Sequence, residues 1–159
     1  MSKIIFFDTE TTGIDATDYL CQIAYKSGDE VFNEIYKPAI PIPPGASAVH
    51  HITNEMVKDR PAFTSSQDFQ KIKELFEDEN SVVVAHNMSF DYGMVKKEGI
   101  ELKNTICTLR VARYLDKDAK LAKHNLQFLR YALGIEIDAK AHDALGDVLV
   151  LEQLFTRLK

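Results

Sequence analysis

The sequence predicts an α/β domain on a mixed sheet that begins as an antiparallel meander. Three observations predict it. Residues 3–8 (KIIFFD) hold an unbroken apolar run from Ile4 to Phe7. Two more strand-like segments, 19–26 and 30–37, are joined by the turn Ser27-Gly28-Asp29. Further along, helix-patterned segments alternate with short apolar runs.

Residues 3–8 read as a buried strand because the apolar run is continuous. Thr9 to Asp18 is polar, holds Gly13, and reads as a loop. Residues 38–46 (PAIPIPPGA) carry four of the five prolines and read as extended loop. Thr53 is placed to cap a short helix through Lys58. Ser65 or Ser66 can cap a longer helix through Glu77, with Phe69, Ile72, Leu75 and Phe76 on its apolar face. Residues 82–85 (VVVA) read as another buried strand, and Ser89 can cap a helix ending near Gly99. A short strand near 104–107 leads into a helix at 108–115. A charged loop at 116–123 precedes a helix at 125–133, closed by Gly134. The last helix runs from about 143 to 158, with Leu145, Val148, Leu149, Leu151, Phe155 and Leu158 apolar. No repeat or linker divides residues 1–159, so a single domain is expected.

Composition narrows the function classes. The chain is 45% hydrophobic and 27% charged, ordinary globular values. No run of 18 apolar residues exists, so no transmembrane helix is expected. The N-terminal apolar stretch is cut by Asp8 and lacks a cleavage site, which argues against a secretion signal. Two cysteines, Cys21 and Cys107, are too few for a disulfide framework, so a reducing, cytoplasmic setting is the default. Both read as packing residues. A net charge of −5 excludes a polybasic nucleic-acid binder but not an enzyme acting on nucleic acid. No phosphate-binding loop, dinucleotide fingerprint or HExxH motif is present. His50-His51 has no Cys or His partner at zinc-site spacing.

Five residues carry chemistry. Asp8 and Glu10 sit two apart at the end of the first strand, a spacing that turns both carboxylates to one side. Asp91 follows the second buried strand, in the first turn of its helix. His142 and Asp147 open the last helix, and Asp147 has the apolar neighbours Leu145, Val148 and Leu149. Each alone fits a capping or solvated role. Four carboxylates at ~5 Å would repel by roughly 3 kcal/mol per pair at an effective dielectric of ~20. Such a cluster calls for hard divalent cations such as Mg²⁺ or Mn²⁺, or for protonation. Two ions can clamp the attacking and leaving oxygens of phosphoryl transfer, and a neutral histidine can take a proton from water.

Three segments resemble the motifs of a known family. They are Phe7-Asp8-Thr9-Glu10-Thr11-Thr12-Gly13, His86-Asn87-x-x-Phe90-Asp91 and His142-Asp143-Ala144-x-x-Asp147. The ordered set is similar to the DEDDh 3′→5′ exonucleases, which include the proofreading epsilon subunit of bacterial DNA polymerase III. The compact layout, with Pro41 to Pro44 and Val49 to Thr53, is most similar to bacterial exonuclease X.

The resemblance implies a ribonuclease H-like fold, with a five-stranded mixed central sheet flanked by helices. It implies that Asp8 bridges two divalent cations, Mg²⁺ or Mn²⁺. Glu10 and Asp147 would complete the first ion's ligands, Asp91 would serve the second, and His142 would deprotonate the attacking water. Thr9 and Thr11 would hold the terminal nucleotide through their backbone. Val49, His50 and Phe90 would shape its pocket, with Asn87 hydrogen-bonding nearby. The implied activity is metal-dependent release of nucleoside 5′-monophosphates from the 3′ end of single-stranded DNA or frayed duplex, in repair or proofreading. RNA as the substrate, and a non-catalytic module that binds 3′ ends, stand as alternatives.

Gln22 stands where many members carry Glu, which alters the hydrogen bonds behind the metal ligands. The sequence ends just after the last helix, without the tail by which epsilon subunits bind the polymerase. A polymerase partner would then act in trans, and no membrane partner is expected. Residues 96–131 hold nine Lys or Arg against four Asp or Glu. Lys117, Lys120, Lys123 and His124 are candidates to meet a phosphate backbone.

Overall fold

A computed structural model describes residues 2–159. Five strands form one mixed sheet: β1 (Lys3–Thr11), β2 (Leu20–Ser27), β3 (Glu30–Ile35), β4 (Ser81–Ala85) and β5 (Thr105–Cys107). Their order is β3-β2-β1-β4-β5. The first three pair antiparallel, and β4 and β5 add in parallel beyond β1. This is the mixed, helix-flanked sheet that the sequence predicts.

Alternation along β1 sets the two layers. Ile5 and Phe7 point to the face covered by α3 (Phe69–Glu77) and α4 (Met88–Lys97), where they meet Ile72, Phe76, Met94 and Val95. Phe6 points to the other face, against Val148 and Leu151 of α7 (Ala144–Arg157). The Phe6 and Phe155 rings meet edge to face at 5.3 Å. Helices α5 (Thr108–Leu115) and α6 (Leu126–Ala132) pack beside α7 through Ala112, Leu129, Ile135 and Leu154. The short helices α1 (Pro44–His50) and α2 (Asn54–Val57) close a small separate cluster over Cys21.

Four expectations are corrected. The strand does not stop at residue 8: Thr9 to Thr11 continue it, because β2 supplies paired backbone at Ile23, Gln22 and Leu20. The proline-rich stretch is not extended throughout. Pro44 opens α1, where a proline loses no helical hydrogen bond. Helix α3 starts after Asp68, whose side chain makes no capping hydrogen bond, and neither Ser65 nor Ser66 caps it, since residues Phe63–Ser65 form a 3₁₀ turn and Ser66 Oγ donates to Phe63 O. Helix α4 begins at Asn87 in a left-handed conformation, with φ 69°, and Ser89 lies inside it. Thr53 caps α2 as expected, accepting from Met56 N.

Candidate active site

Strand β1 outruns its parallel neighbour. Pairing with β4 ends at Phe6 and Val84, while β1 continues to Thr11. A crevice opens at the carboxyl ends of the parallel strands, where α/β proteins place their sites. On that side Thr9 N–H has lost its strand partner, and Asp91 takes its place. Asp91 Oδ1 accepts from Thr9 N at 3.0 Å and from Thr9 Oγ1 at 2.7 Å.

Asp8 and Glu10 follow Phe6 on the α7 face of β1. Asp147, in the first turn of α7, meets them there. One carboxylate oxygen from each of the three lies within 4.8 Å of the others. The spacing of two in a strand and the start of an amphipathic helix together bring the three acids to one point. Asp91 stands behind them, close enough for its charge to act on Asp8 and Glu10.

The electrostatics are those of an uncompensated cluster. Burial, and then the charges of Asp91, Asp147 and Glu10, hold the Asp8 carboxyl well above the usual carboxylate range. Burial first, and then Asp147 and Asp91, push Glu10 up to about 8. Asp91 and Asp147 are raised too, chiefly by burial. The Thr9 hydrogen bonds on Asp91, and His142 and Gln127 beside Asp147, work in the opposite direction. An all-oxygen donor set that resists ionising together fits a hard divalent cation, which removes the repulsion.

Neighbours fix the frame. Gln127 Nε2 donates to Asp147 Oδ1 at 2.6 Å. Asp143 caps α7 by accepting from Gly146 N at 3.3 Å. Gln22 ties that cap to the sheet: its Nε2 donates to Asn33 Oδ1 and Asp143 Oδ1, and its Oε1 accepts from Ala144 N. Gly146 is obligatory here, because a Cβ would lie 2.0 Å from Lys140 O. His142 is exposed, with a left-handed backbone at φ 56°, at the rim beside Asp147.

A cavity of about 580 Å³ adjoins the acids and shares Glu10 with them. Thr9, Thr11, Val49, His50 and Phe90, the residues that the resemblance assigns to the terminal nucleotide, are among those that line it. Val49 is 47% exposed and so is no core residue. His50 is buried, with Nε2 2.9 Å from Thr11 O and Nδ1 accepting from Ile52 N, and burial lowers its pKa. At the motif glycine Gly13 a Cβ would sit 2.4 Å from Asp18 Oδ2, so a larger residue would push aside the Asp18 carboxylate that ties the loop by accepting from Thr12 Oγ1. Asn87 is outside the cavity lining and sits at the start of α4, where its Oδ1 accepts from Ser89 Oγ.

Sequence reasoning named no role for Gln127 or Asp143. Asp143 was legible as a cap residue before an apolar helix. Gln127 carries no local signal, because its partner is 20 residues away. The basic loop is ordered by Asp116, which accepts from Lys120 N, Leu121 N and His124 Nε2. His86 hooks it to the end of β4, with Nε2 2.7 Å from His124 O.

A family model described as Exonuclease (RNase_T) matches residues 5–155. The chain belongs to this exonuclease family. Its relatives place it in the epsilon-like branch. It is 30% identical to the DNA polymerase III subunit epsilon of Treponema pallidum, over 96% of this chain and 74% of that one. A DNA polymerase III subunit epsilon-like protein of Rhodobacter capsulatus is 34% identical over 99% of this chain. The chain spans 24% of that relative, and 11% of the PolC-type DNA polymerase III of Clostridium perfringens. Among solved structures, exonuclease X in complex with 5′ overhanging duplex DNA superposes with a TM-score of 0.75 at 26% identity, over 98% of this chain and 90% of that one. E. coli exonuclease I in complex with a dA16 oligonucleotide shares the fold, with a TM-score of 0.79 at 22% identity, over 99% of this chain and 40% of that one.

Proposed function

We propose that residues 1–159 form one exonuclease domain that hydrolyses phosphodiester bonds from the 3′ end of single-stranded DNA or frayed duplex, releasing nucleoside 5′-monophosphates. The observation that carries this reading is the convergence of Asp8, Glu10 and Asp147, with Asp91 behind them, beside a cavity of about 580 Å³. That volume suits one nucleotide, inside the ~300–1,000 Å³ of ordinary ligand sites.

Asp8, Glu10, Asp147 and Asp91 would hold two divalent cations, Mg²⁺ or Mn²⁺. Bound there, these supply positive charge to the attacking and leaving oxygens of the phosphodiester. The chain's own residues do the rest. Thr9 presents Asp91 through two hydrogen bonds, and Gln127 presents Asp147 through one. Val49 and Phe90 give the terminal sugar and base apolar walls, and His50 holds the backbone at Thr11. His142, exposed at the rim, accepts the proton of the attacking water. The loop bearing Lys117, Lys120 and Lys123 meets the phosphate backbone, which makes affinity fall with salt. The DNA in the exonuclease X and exonuclease I complexes supports DNA over RNA. The epsilon relative supports proofreading or repair alongside a polymerase in trans, in a cytoplasm where Cys21 and Cys107 stay free thiols.

The test uses matched single-stranded DNA and RNA oligonucleotides with Mg²⁺, and mass spectrometry of the products. Nucleoside 5′-monophosphates, formed faster from DNA, are expected. Faster release from RNA would move the substrate, and tight binding without any cleavage would make the domain a 3′-end binder.

A further inference from the structure

His142 makes no side-chain hydrogen bond among the described residues, and it is exposed. Its backbone is held in the left-handed region at φ 56° and lies against the Asp147 carboxylate. A non-glycine residue keeps that conformation only where its surroundings impose it. The segment before it, between α6 and α7, therefore has to be fixed by something else.

Arg130 is that something. It projects from the last turn of α6 and is only 8% exposed. Its Nη1 donates to Ala139 O at 2.8 Å and its Nη2 to Ile137 O at 2.6 Å. It forms no ion pair among the described residues, and its Nε has no partner. A buried guanidinium that faces carbonyls rather than a carboxylate is a costly fastener. A hydrophobic side chain would serve core stability better. What the planar fork supplies is geometry: two parallel donors fix two carbonyls at once. Three residues on, the chain reaches His142. Lys140, between them, has its backbone seated against Gly146 of α7.

We infer that Arg130 is a positioning residue for His142, clamping residues 137–139 so that the imidazole stands at the rim of the acidic cluster. This rests on the reading of His142 as the group that takes the proton from water. Arg130 touches neither the acids nor the cavity lining, so substrate binding is independent of it.

The test is steady-state hydrolysis of a single-stranded DNA oligonucleotide with Mg²⁺, using Arg130→Lys, His142→Ala and the double variant, each checked for folding by thermal melting. Lysine keeps the charge but not the fork. A misplacement of ~1 Å can cost about 100-fold, so kcat should fall about 10- to 100-fold while KM stays within about twofold. In the His142→Ala background, Arg130→Lys should have no further effect. If Arg130→Lys does not fold, a glycine inserted between Asp138 and Ala139 separates the two clamped carbonyls while leaving Arg130 in place. The same loss of kcat is expected. Losses that multiply in the double variant, or a rise in KM at constant kcat, would overturn the positioning role alone. Wild-type kcat in His142→Ala would overturn the reading of His142 on which it rests.

Discussion

Without metal, the acidic cluster should make this protein less stable as pH rises, and Glu10→Gln should remove much of that loss. Glu10 is raised from an ordinary 4.5 to about 8. Between those values the folded state holds a proton that the unfolded state releases, so stability falls as pH climbs through the window. At pH 7 the gap above 4.5 converts, at about 1.4 kcal/mol per pH unit, to roughly 3 kcal/mol. Glutamine has the same shape and does not ionise. In EDTA at pH 7, Glu10→Gln should therefore melt about 6–12 °C above wild type, at ~2–4 °C per kcal/mol for a domain of this size. At pH 5 the difference should shrink below about 1 kcal/mol, because that pH lies only about half a unit above the ordinary 4.5 at which the unfolded state begins to release the proton. Mg²⁺ should raise the wild-type melting temperature more than the variant's, and the variant should lose turnover. Thermal melts at the two pH values, with EDTA and with Mg²⁺, check this. Equal differences at pH 5 and pH 7, or a wild type that outlasts the variant in EDTA at pH 7, would refute the electrostatic account.

Other substitutions probe the supports of the site. Thr9→Val removes the hydroxyl bond to Asp91 and keeps the backbone one; a loss of about 1.5–3 kcal/mol in urea melts is expected, with a lower kcat. Gly146→Ala drives a methyl onto Lys140 O. Overpacking of ~1–3 kcal/mol outweighs a helix-propensity gain of ~1 kcal/mol, so the melting temperature should fall by a few degrees, and kcat with it. Thr53→Ala loses only the cap of α2, far from the acids in sequence. It should cost about 1 kcal/mol and leave turnover unchanged, a control for general destabilisation.

Much of this was legible in the sequence, for local reasons. The unbroken apolar runs at 4–7 and 82–85 mark the adjacent parallel strands at the middle of the sheet. The two-residue spacing of Asp8 and Glu10 turns both acids to the α7 face because the strand runs on through Thr11, beyond the end expected at residue 8. The continuation itself depended on pairing with β2, which composition does not reveal: Thr9 to Thr11 are polar yet extended because Ile23, Gln22 and Leu20 lie opposite. Pro44 reads as a breaker in isolation and serves as a helix opener in place. Gln127 and Arg130 were beyond reach for the same reason. Their partners, Asp147 and the carbonyls of Ile137 and Ala139, meet them only once α6, the following loop and α7 are folded together.

The most direct test of the central claim is digestion of a 5′-labelled single-stranded DNA oligonucleotide by the wild type and by Asp8→Asn, with Mg²⁺ and with EDTA. The account predicts a ladder of labelled products shortening from the 3′ end, made only by the wild type and only with Mg²⁺. Early release of the label as a mononucleotide, internal cuts, or cleavage that persists in Asp8→Asn would contradict it.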